Sequence, residues 1–421
     1  MNISPARRAA FEILSKIETE KAFSSYLLPI YEEKLEANDR ALCHELTLGV
    51  LRKQIYLDRI IEQLSNGKKL DSAVKIILRI GLYQLIFLDK IPAHAAINDS
   101  VNLVQRAKKT SAKGFVNAIL RKFTREEIVL DFADEIEKIS VETSHPRWLI
   151  EKWIRQFGFA ETAKLAGANN ETPELDFRFT ARTTEAVKKS LRRETVENEK
   201  NYLRELAANG KIYFQDKASQ MVAEAVDLKQ NESFLDVCCA PASKFSLINY
   251  LVGGESRKLF VGGDLYLRRL DVARKNCERV GAKNYQIAAY DALDNLPFAD
   301  ESFDVILLDA PCSGTGTIRH NPEIRYFLGE KDFGELSAKQ LRILENASKV
   351  LRRGGRLVYS TCSLEPEENE WIVEKFLGDD KDFRKAQIKL PQQFLTIDGD
   401  ARTFPPRDET DGFFIAVLEK S

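Results

Sequence analysis

The sequence predicts an α/β protein whose front part is entirely helical. Up to about residue 130, apolar residues recur at helical spacing, and after Glu232 short apolar strands alternate with helices. Such repeated βα units are typical of a mostly parallel, doubly wound sheet. The 421 residues suffice for two or three domains. No uncharged apolar run approaches the roughly 18 residues that a membrane span needs.

The helical front begins with Ser4 and Pro5, an N-cap residue followed by proline at the first helical position. Asp39 is expected to open another helix, because apolar residues follow it at four-residue spacing. Further helices are predicted over 74–88, 93–109 and 111–125, the first of them at the centre of a bundle. An acidic, irregular stretch near 126–145 is expected to be a linker.

A small α+β segment is predicted next, with a helix that carries Trp148 and Trp153 and a strand near 175–181. A second helix is expected to run through Lys188, Lys189, Arg192 and Arg193. The predicted domains are therefore 1–130, 145–215 and 216–421. In the last of these, strands are expected at 234–237, 259–265, 285–290, 303–308, 356–360 and 413–418, and helices up to 251 and over 268–280, 335–351 and 367–376.

The carboxyl ends of these strands are the place to search for a site, because ligands of open α/β sheets bind there. The residues at these ends are the loop Cys238, Cys239, Ala240, Pro241, Ala242, Ser243 and Lys244, the acids Asp264, Asp291 and Asp309, and the thiols Cys312 and Cys362. A single strand-end acid is more often a helix cap or a turn residue. Acids and thiols together on one edge favour a site.

The acids suggest a cofactor that contains ribose and adenine. Asp264, after the second strand, can accept hydrogen bonds from ribose hydroxyls, and Asp291 can accept one from an adenine amino group. No Gly-x-Gly-x-x-Gly follows the first strand and no phosphate-binding P-loop is present. These features favour S-adenosylmethionine over a dinucleotide.

The two thiols suggest covalent catalysis on a pyrimidine. A thiolate that adds to carbon 6 of cytosine or uracil makes carbon 5 nucleophilic enough to take up a methyl group. Cys43 and Cys277 are expected to be core residues. With six cysteines, no Cys-x-x-Cys and four histidines, the sequence predicts reduced thiols in a cytoplasmic protein and no metal site.

Three segments of the back half carry a resemblance: FDVILLDAPCSGTG (303–316), LVYSTCSLEPEEN (357–369) and DGFFIAVLEK (411–420). They resemble the Sun family of RNA 5-methylcytosine methyltransferases. DRALCHELTLGVLRK (39–53), FVNAILR (115–121) and YFQDKASQ (213–220) resemble its bacterial RsmB-like members. The resemblance implies a Rossmann-like class I methyltransferase domain, preceded by an all-α NusB-like domain and a small α+β segment.

The resemblance also implies roles for the candidate residues. Cys362 matches the nucleophile, Cys312 the thiol needed for product release, and Asp309 the acid that contacts the cytosine beside the methyl donor. Residues 238–244 match the loop that cradles S-adenosylmethionine, with Lys244 reaching toward the active site and Asp264 and Asp291 contacting ribose and adenine. The implied substrate is a single-stranded or extruded cytosine of 16S rRNA. A monomer that does not associate with membranes is expected.

The cofactor loop departs from the family pattern. Where the family has Ala-Pro-Gly-Gly-Lys-Thr, this chain has Ala-Pro-Ala-Ser-Lys-Phe over 240–245. Loss of both glycines predicts weak binding of S-adenosylmethionine. It also leaves open a second hypothesis, an RNA-binding homologue with weakened or lost methyl transfer.

A third hypothesis, a tRNA cytosine-5 methyltransferase, is disfavoured by the NusB-like front. Residues 1–130 carry a net charge of +6 and the remaining residues carry −7. An RNA partner is compatible with this asymmetry, and so is an uneven scatter of solvated charges. The candidates for phosphate contacts, which a solvated helix face would explain equally well, are Arg106, Lys108, Lys109, Lys113, Arg121 and Lys122.

Overall fold

The computed structural model describes residues 3–191, 199–253 and 258–421. The chain divides into two compact units, Met1–Thr172 with Ile318–Glu330, and Pro173–Thr317 with Lys331–Ser421. The predicted division into three domains stays a prediction. The packing groups the residues differently, because the first unit continues to Thr172 and includes a segment from the second half of the chain. Arg192 and Arg193 lie outside the described residues.

The helices of the described residues follow in chain order. They are α1 (Pro5–Glu20), α2 (Ser24–Glu32), α3 (Ala37–Arg52), α4 (Gln54–Leu64), α5 (Ser72–Phe87), α6 (Ala93–Arg106), α7 (Lys113–Phe123), α8 (Glu135–Glu142), α9 (Arg147–Phe157), α10 (Phe159–Ala168), α11 (Glu185–Leu191), α12 (Glu199–Ala208), α13 (Lys217–Ala225), α14 (Ser243–Leu251), α15 (Leu267–Val280), α16 (Ile324–Phe327), α17 (Glu330–Val350), α18 (Glu370–Asp379) and α19 (Pro405–Asp408). In the part of the chain that is described, no helix combines the length and the apolar character needed to cross a bilayer.

The helical unit is built around α5, as the sequence predicts. Ile77, Leu78, Ile80 and Leu82 of this helix are fully buried, and α5 packs against α1, α3, α4, α6 and α7. Asp71 caps the helix by accepting a hydrogen bond from the backbone N–H of Ala73 at 3.0 Å. The apolar residues of α5 and of the helices packed around it therefore form the centre of the bundle.

Two expectations for this unit are corrected by the structure. Helix α3 begins at Ala37 rather than at Asp39, which stands in its first turn. The Asp39 carboxylate does not cap α3 and instead accepts a hydrogen bond from the backbone N–H of Ala6, at the start of α1, at 3.4 Å. The expected linker near 126–145 contains helix α8. Its N-cap, Asp134, accepts from the backbone N–H of Glu137 at 2.7 Å, a capping interaction that the acidic composition concealed.

The segment Ile318–Glu330 lies late in the chain but belongs to the helical unit. Its Arg325 is fully buried and donates hydrogen bonds to the carbonyl of Thr143 and to Asn170 Oδ1, both at 3.0 Å. Burial lowers the pKa of this guanidinium to about 10. Glu323, also buried, accepts from the backbone N–H of Ser24 at 2.6 Å. These bonds compensate the cost of burying charged side chains and fasten the segment within the unit.

The second unit carries the strands. They are β1 (Phe177–Phe179), β2 (Ile212–Phe214), β3 (Phe234–Asp236), β4 (Phe260–Asp264), β5 (Gln286–Ala289), β6 (Phe303–Asp309), β7 (Leu351–Thr361), β8 (Phe383–Lys385), β9 (Ala401–Arg402) and β10 (Phe414–Lys420). Strands β1 and β2 form an antiparallel pair. The others in the described chain form one eight-stranded sheet of order β5-β4-β3-β6-β7-β10-β8, with β9 beside β10.

The large sheet is mostly parallel, which confirms the predicted fold class. Strands β5, β4, β3, β6 and β7 run parallel, and β10 pairs antiparallel with β7 in a register that places Phe414 opposite Thr361. Apolar clusters cover both faces of the sheet. Strands β2, β8 and β9 were not predicted. They are two or three residues long, which leaves little alternation to detect, although β1 and β3 are as short and were predicted.

Candidate active site

The candidate residues lie at one edge of the large sheet, where its parallel strands end. Cys238 follows β3 and Asp264 ends β4. Asp309 ends β6 and Cys362 follows β7. Because β3 is hydrogen-bonded to both β4 and β6, and β6 to β7, these four ends are neighbours.

The two thiols at this edge are in contact. Cys312 Sγ and Cys362 Sγ lie 3.3 Å apart, and both side chains are partly exposed. The hydrogen bond to Cys362, followed by burial, raises the pKa of the Cys312 thiol. The arrangement thus provides two adjacent sulfur atoms that a ligand can reach.

A lysine–aspartate pair accompanies the thiols. Lys244 Nζ donates a hydrogen bond to Asp309 Oδ2 at 2.7 Å, and Ser360 Oγ donates to Asp309 Oδ1 at 2.9 Å. Burial alone would lower the pKa of Lys244, but the Asp309 carboxylate outweighs it, so the pKa is raised. The Lys244 ammonium also lies 4.9 Å from the ring centre of Phe413. The lysine is therefore a fixed positive charge that orients Asp309.

The loop after β3 keeps a left-handed residue where the family has glycine. Ala242 has φ of 74° and ψ of 28°, and it is fully buried within an apolar cluster. Ser243 is instead the first residue of α14 and is partly exposed. Phe245 packs in the core, with ring centres 4.7 Å from Phe260. Ala242 and Ser243, which stand where the family has glycine, therefore lie in different environments, one in the core and one partly exposed.

Side chains that sequence reasoning missed hold this loop in place. Arg269 Nη2 donates to the carbonyl of Ala240 at 2.8 Å, and Asn276 Nδ2 donates to that of Pro241 at 3.0 Å. At the start of α14, Arg178 Nη2 donates to the carbonyl of Ser243 at 3.0 Å. These residues have no motif of their own. Arg178 is the one polar residue of the short strand β1, whereas Arg269 and Asn276 stand among the many charged and polar residues of α15, so the sequence gives no signal that singles out those two.

The acids near the loop fit a cofactor with hydroxyl groups. Asp264 is buried, and its Oδ2 accepts no hydrogen bond from any described residue, although Arg269 Nη1 lies 3.4 Å away. A buried carboxylate oxygen with spare capacity suits a ribose hydroxyl donor. Asp291 is partly exposed, and its Oδ1 accepts from the backbone N–H of Leu293 at 2.9 Å. The residues present are thus compatible with S-adenosylmethionine.

The remaining cysteines are packing residues. Burial raises the pKa of both Cys238 and Cys239. Cys43 and Cys277 are fully buried, as expected, and burial raises the pKa of each to about 12. A thiol must ionise to act as a nucleophile, so these four are poor candidates for that role.

Comparison with known proteins agrees with this architecture. The family of 16S rRNA methyltransferases RsmB/F matches residues 223–419, and the NusB family matches residues 4–125. A probable ribosomal RNA small subunit methyltransferase B of Bacillus subtilis is 31% identical over the whole of both chains. Ribosomal RNA small subunit methyltransferase B of Pseudomonas putida is 32% identical over 98% of both.

Solved structures of similar fold agree with the architecture described above. The crystal structure of PH0851 covers the whole of both chains with a TM-score of 0.85 and 26% identity. A methyltransferase homologue from Pyrococcus horikoshii covers 69% of this chain and all of its own, with a TM-score of 0.55. The helical front, the parallel sheet and the full-length relatives together show that this chain belongs to the RsmB family of S-adenosylmethionine-dependent 16S rRNA methyltransferases, with an N-terminal NusB domain.

Proposed function

We propose that this protein methylates carbon 5 of a cytosine in 16S rRNA through a covalent bond between Cys362 and carbon 6 of the base. The observation that carries the proposal is the contact of the two sulfur atoms, 3.3 Å apart, at the strand ends that also hold Asp309 and Lys244. A pair of thiols beside a fixed acid suits addition to, and elimination from, a pyrimidine ring.

The reaction follows from what each side chain can donate or accept. The ionised Cys362 gives an electron pair to carbon 6, and the electrons of the C5–C6 double bond make carbon 5 nucleophilic. S-adenosylmethionine, when bound, would supply the electrophilic methyl group that carbon 5 takes up, with S-adenosylhomocysteine as the leaving group. Once Cys362 is bonded to carbon 6, the hydrogen bond that contributes most to the raised pKa of Cys312 is lost, so Cys312 can release its proton to water. The Cys312 thiolate then accepts the proton of carbon 5, the double bond re-forms and Cys362 departs as a thiolate. The methyl group has replaced the carbon 5 proton, which remains on Cys312 as its thiol proton.

Asp309 is assigned the contact with the cytosine. Ser360 and Lys244 each bond one of its two oxygens, so the carboxylate has a fixed orientation before any ligand arrives. A prealigned acceptor avoids the cost of reorganisation when the base enters. Because a stacked base cannot reach this edge, the target must be single-stranded or extruded.

S-adenosylmethionine is assigned to the loop 238–244 with Asp264 and Asp291. Asp264 Oδ2, which accepts no hydrogen bond from the described residues, supports the ribose contact. Asp291 stands after the neighbouring strand β5, where an adenine contact is expected. Arg269 and Asn276 keep the loop carbonyls turned to α15.

The test is the product itself. Unmodified small-subunit rRNA is incubated with the protein and tritium-labelled S-adenosylmethionine, digested to nucleosides and separated by chromatography. The label is expected in 5-methylcytidine. Label in another nucleoside, with none in 5-methylcytidine, would contradict the assignment of carbon 5 of cytosine.

A second function, RNA binding with weakened methyl transfer, is favoured by the loop. Ser243 places a hydroxymethyl group at a partly exposed position where the family has glycine. Calorimetric titration with S-adenosylmethionine separates the two functions. Binding in the micromolar range supports the first proposal, whereas no binding at millimolar ligand supports the second.

A further inference from the structure

Glu368 connects the two loops that carry the thiols. We propose that Glu368 is the positioning residue that holds Cys312 and Cys362 in contact, an inference that rests on the proposed function for the role of those thiols. The side chain is fully buried, in the 3₁₀ turn Pro366–Glu368 between β7 and α18. No hydrogen bond joins it to either sulfur atom. Its charge contributes to the raised pKa of Cys312, but its effect on the distance between the sulfurs passes through its neighbours.

Each of the two cysteines is followed by a serine, and both serines bond the same carboxylate. The hydroxyls of Ser313 and Ser363 both donate to Glu368 Oε2, and these two hydroxyl oxygens lie 3.1 Å apart. The backbone N–H of Ser313 donates to the other oxygen, Oε1, at 2.8 Å. One side chain thereby fixes the residue after Cys312 and the residue after Cys362.

The carboxylate is itself held by neighbouring elements. Gln340 Nε2, on α17, donates to Glu368 Oε1 at 2.9 Å and to the carbonyl of Pro311 at 3.0 Å. Tyr359 donates its hydroxyl to the carbonyl of Glu368 at 2.6 Å. All of these side chains are buried or partly buried, so water cannot replace a lost bond at low cost. The two partly exposed thiols thus stand next to a buried hydrogen-bond network.

This geometry separates two effects of removing the carboxylate. Catalysis depends on the distance between the sulfur atoms, and a displacement of about 1 Å can cost about a hundredfold in rate. Ligand binding does not depend on Glu368 directly. The loop 238–244, Asp264 and Asp291, assigned to S-adenosylmethionine, lie after other strands, and Asp309, assigned to the cytosine, is held by Lys244 and Ser360. The expected signature is a loss of kcat with little change in the KM for RNA.

The experiment compares Glu368→Ala, Glu368→Gln and the control Glu374→Gln, an exposed glutamate on α18. The first readout needs neither RNA nor S-adenosylmethionine. Oxidised glutathione takes two electrons and two protons from Cys312 and Cys362, which gives a disulfide and two molecules of reduced glutathione. The equilibrium constant of this exchange reports how well the two sulfurs are held together. It is expected to fall at least tenfold in Glu368→Ala and to stay within twofold in the control.

The second readout is methyl transfer. In Glu368→Ala, kcat is expected to fall about a hundredfold, with the KM for RNA within twofold of the parent value. Glu368→Gln keeps only one accepting oxygen, so a fall of about tenfold is expected. Glu368→Gln decides the question if the alanine variant does not fold.

The proposal is overturned if a folded Glu368 variant retains the parent's equilibrium constant for disulfide formation with oxidised glutathione. It is equally overturned if KM and melting temperature change while that constant does not, because Glu368 would then support only the fold. If the parent protein transfers no methyl group to carbon 5, the function proposed above fails. The disulfide measurement still stands in that case, so the two failures are distinguishable.

Discussion

The two sides of the candidate site differ in how the chain holds them. On the thiol side, the loops after β6 and β7 share one buried carboxylate and keep their sulfurs 3.3 Å apart. On the cofactor side, the loop after β3 carries Ala242 in a left-handed conformation that residues other than glycine rarely adopt. The thiols are thus supported by a buried hydrogen-bond network, whereas the loop maintains a glycine conformation without glycine.

The difference shows that a loop shape can persist when its sequence changes. A left-handed alanine costs roughly 1–2 kcal/mol, which the contacts of the surrounding residues must offset. Arg269, Asn276 and Arg178 supply such contacts through the carbonyls of the loop and of Ser243. The strain belongs to the folded protein before any ligand binds, so it lowers stability rather than affinity.

The largest expected effect on the thiol side is that of Cys362→Ala. We expect methyl transfer to be abolished, because the sulfur assigned to carbon 6 is removed and Cys312, 3.3 Å away in the parent, is assigned to the elimination step. The affinity for S-adenosylmethionine should remain, because the cofactor loop is untouched. Tritium transfer to unmodified small-subunit rRNA and calorimetry measure the two quantities. Turnover near that of the parent would remove Cys362 from the reaction.

Cys312→Ala should arrest the reaction after addition. With its sulfur in contact with that of Cys362, Cys312 is placed to assist elimination, so its loss leaves the RNA attached to the protein. A denaturing gel should show a protein–RNA band that is absent in the double variant C312A/C362A. Full turnover without such a band would mean that Cys312 is structural.

The cofactor side is examined by restoring its two glycines separately. Ser243→Gly should tighten binding of S-adenosylmethionine at least tenfold, because it removes a partly exposed hydroxymethyl group from the start of α14. Ala242→Gly should leave the dissociation constant within threefold, since its methyl group is buried in the core.

For Ala242→Gly, relief of strain, roughly 1–2 kcal/mol, opposes the loss of a buried methyl group, about 0.8 kcal/mol. The free energy of unfolding should therefore change by about 1 kcal/mol or less, as urea denaturation would measure. Equal dissociation constants for the parent, both single variants and the double-glycine variant would show that the loop glycines are dispensable.

The sequence predicted the strands of the large sheet and their ends better than it predicted the side-chain contacts that hold the site together. Strand ends follow from runs of buried residues such as those of β6, and so the positions of Asp309 and Asp264 could be foreseen. The distance between Cys312 and Cys362 could not, because it depends on Glu368, whose partners are 55 and 5 residues away in the chain. Periodicity carries no information about contacts of that kind.

Substitutions in the helical unit have the smallest expected effect, because ion pairs partly neutralise the basic side chains that are its candidates for phosphate contacts. Lys109 Nζ lies 2.8 Å from Asp71 and Arg106 lies 3.7 Å from Glu12, whereas Lys108 is exposed. If these side chains meet phosphates, Lys108→Glu should reduce the slope of log affinity against log salt by roughly 0.7–0.9, the value for one contact. Lys109→Glu should reduce this slope by less, because the Lys109 ammonium already forms an ion pair with Asp71. Filter binding of rRNA between 50 and 200 mM salt, a range over which multiple phosphate contacts alter affinity by orders of magnitude, measures both slopes. An unchanged slope in both variants would identify the cluster as a solvated face, and RNA contacts would then have to be sought on other surfaces.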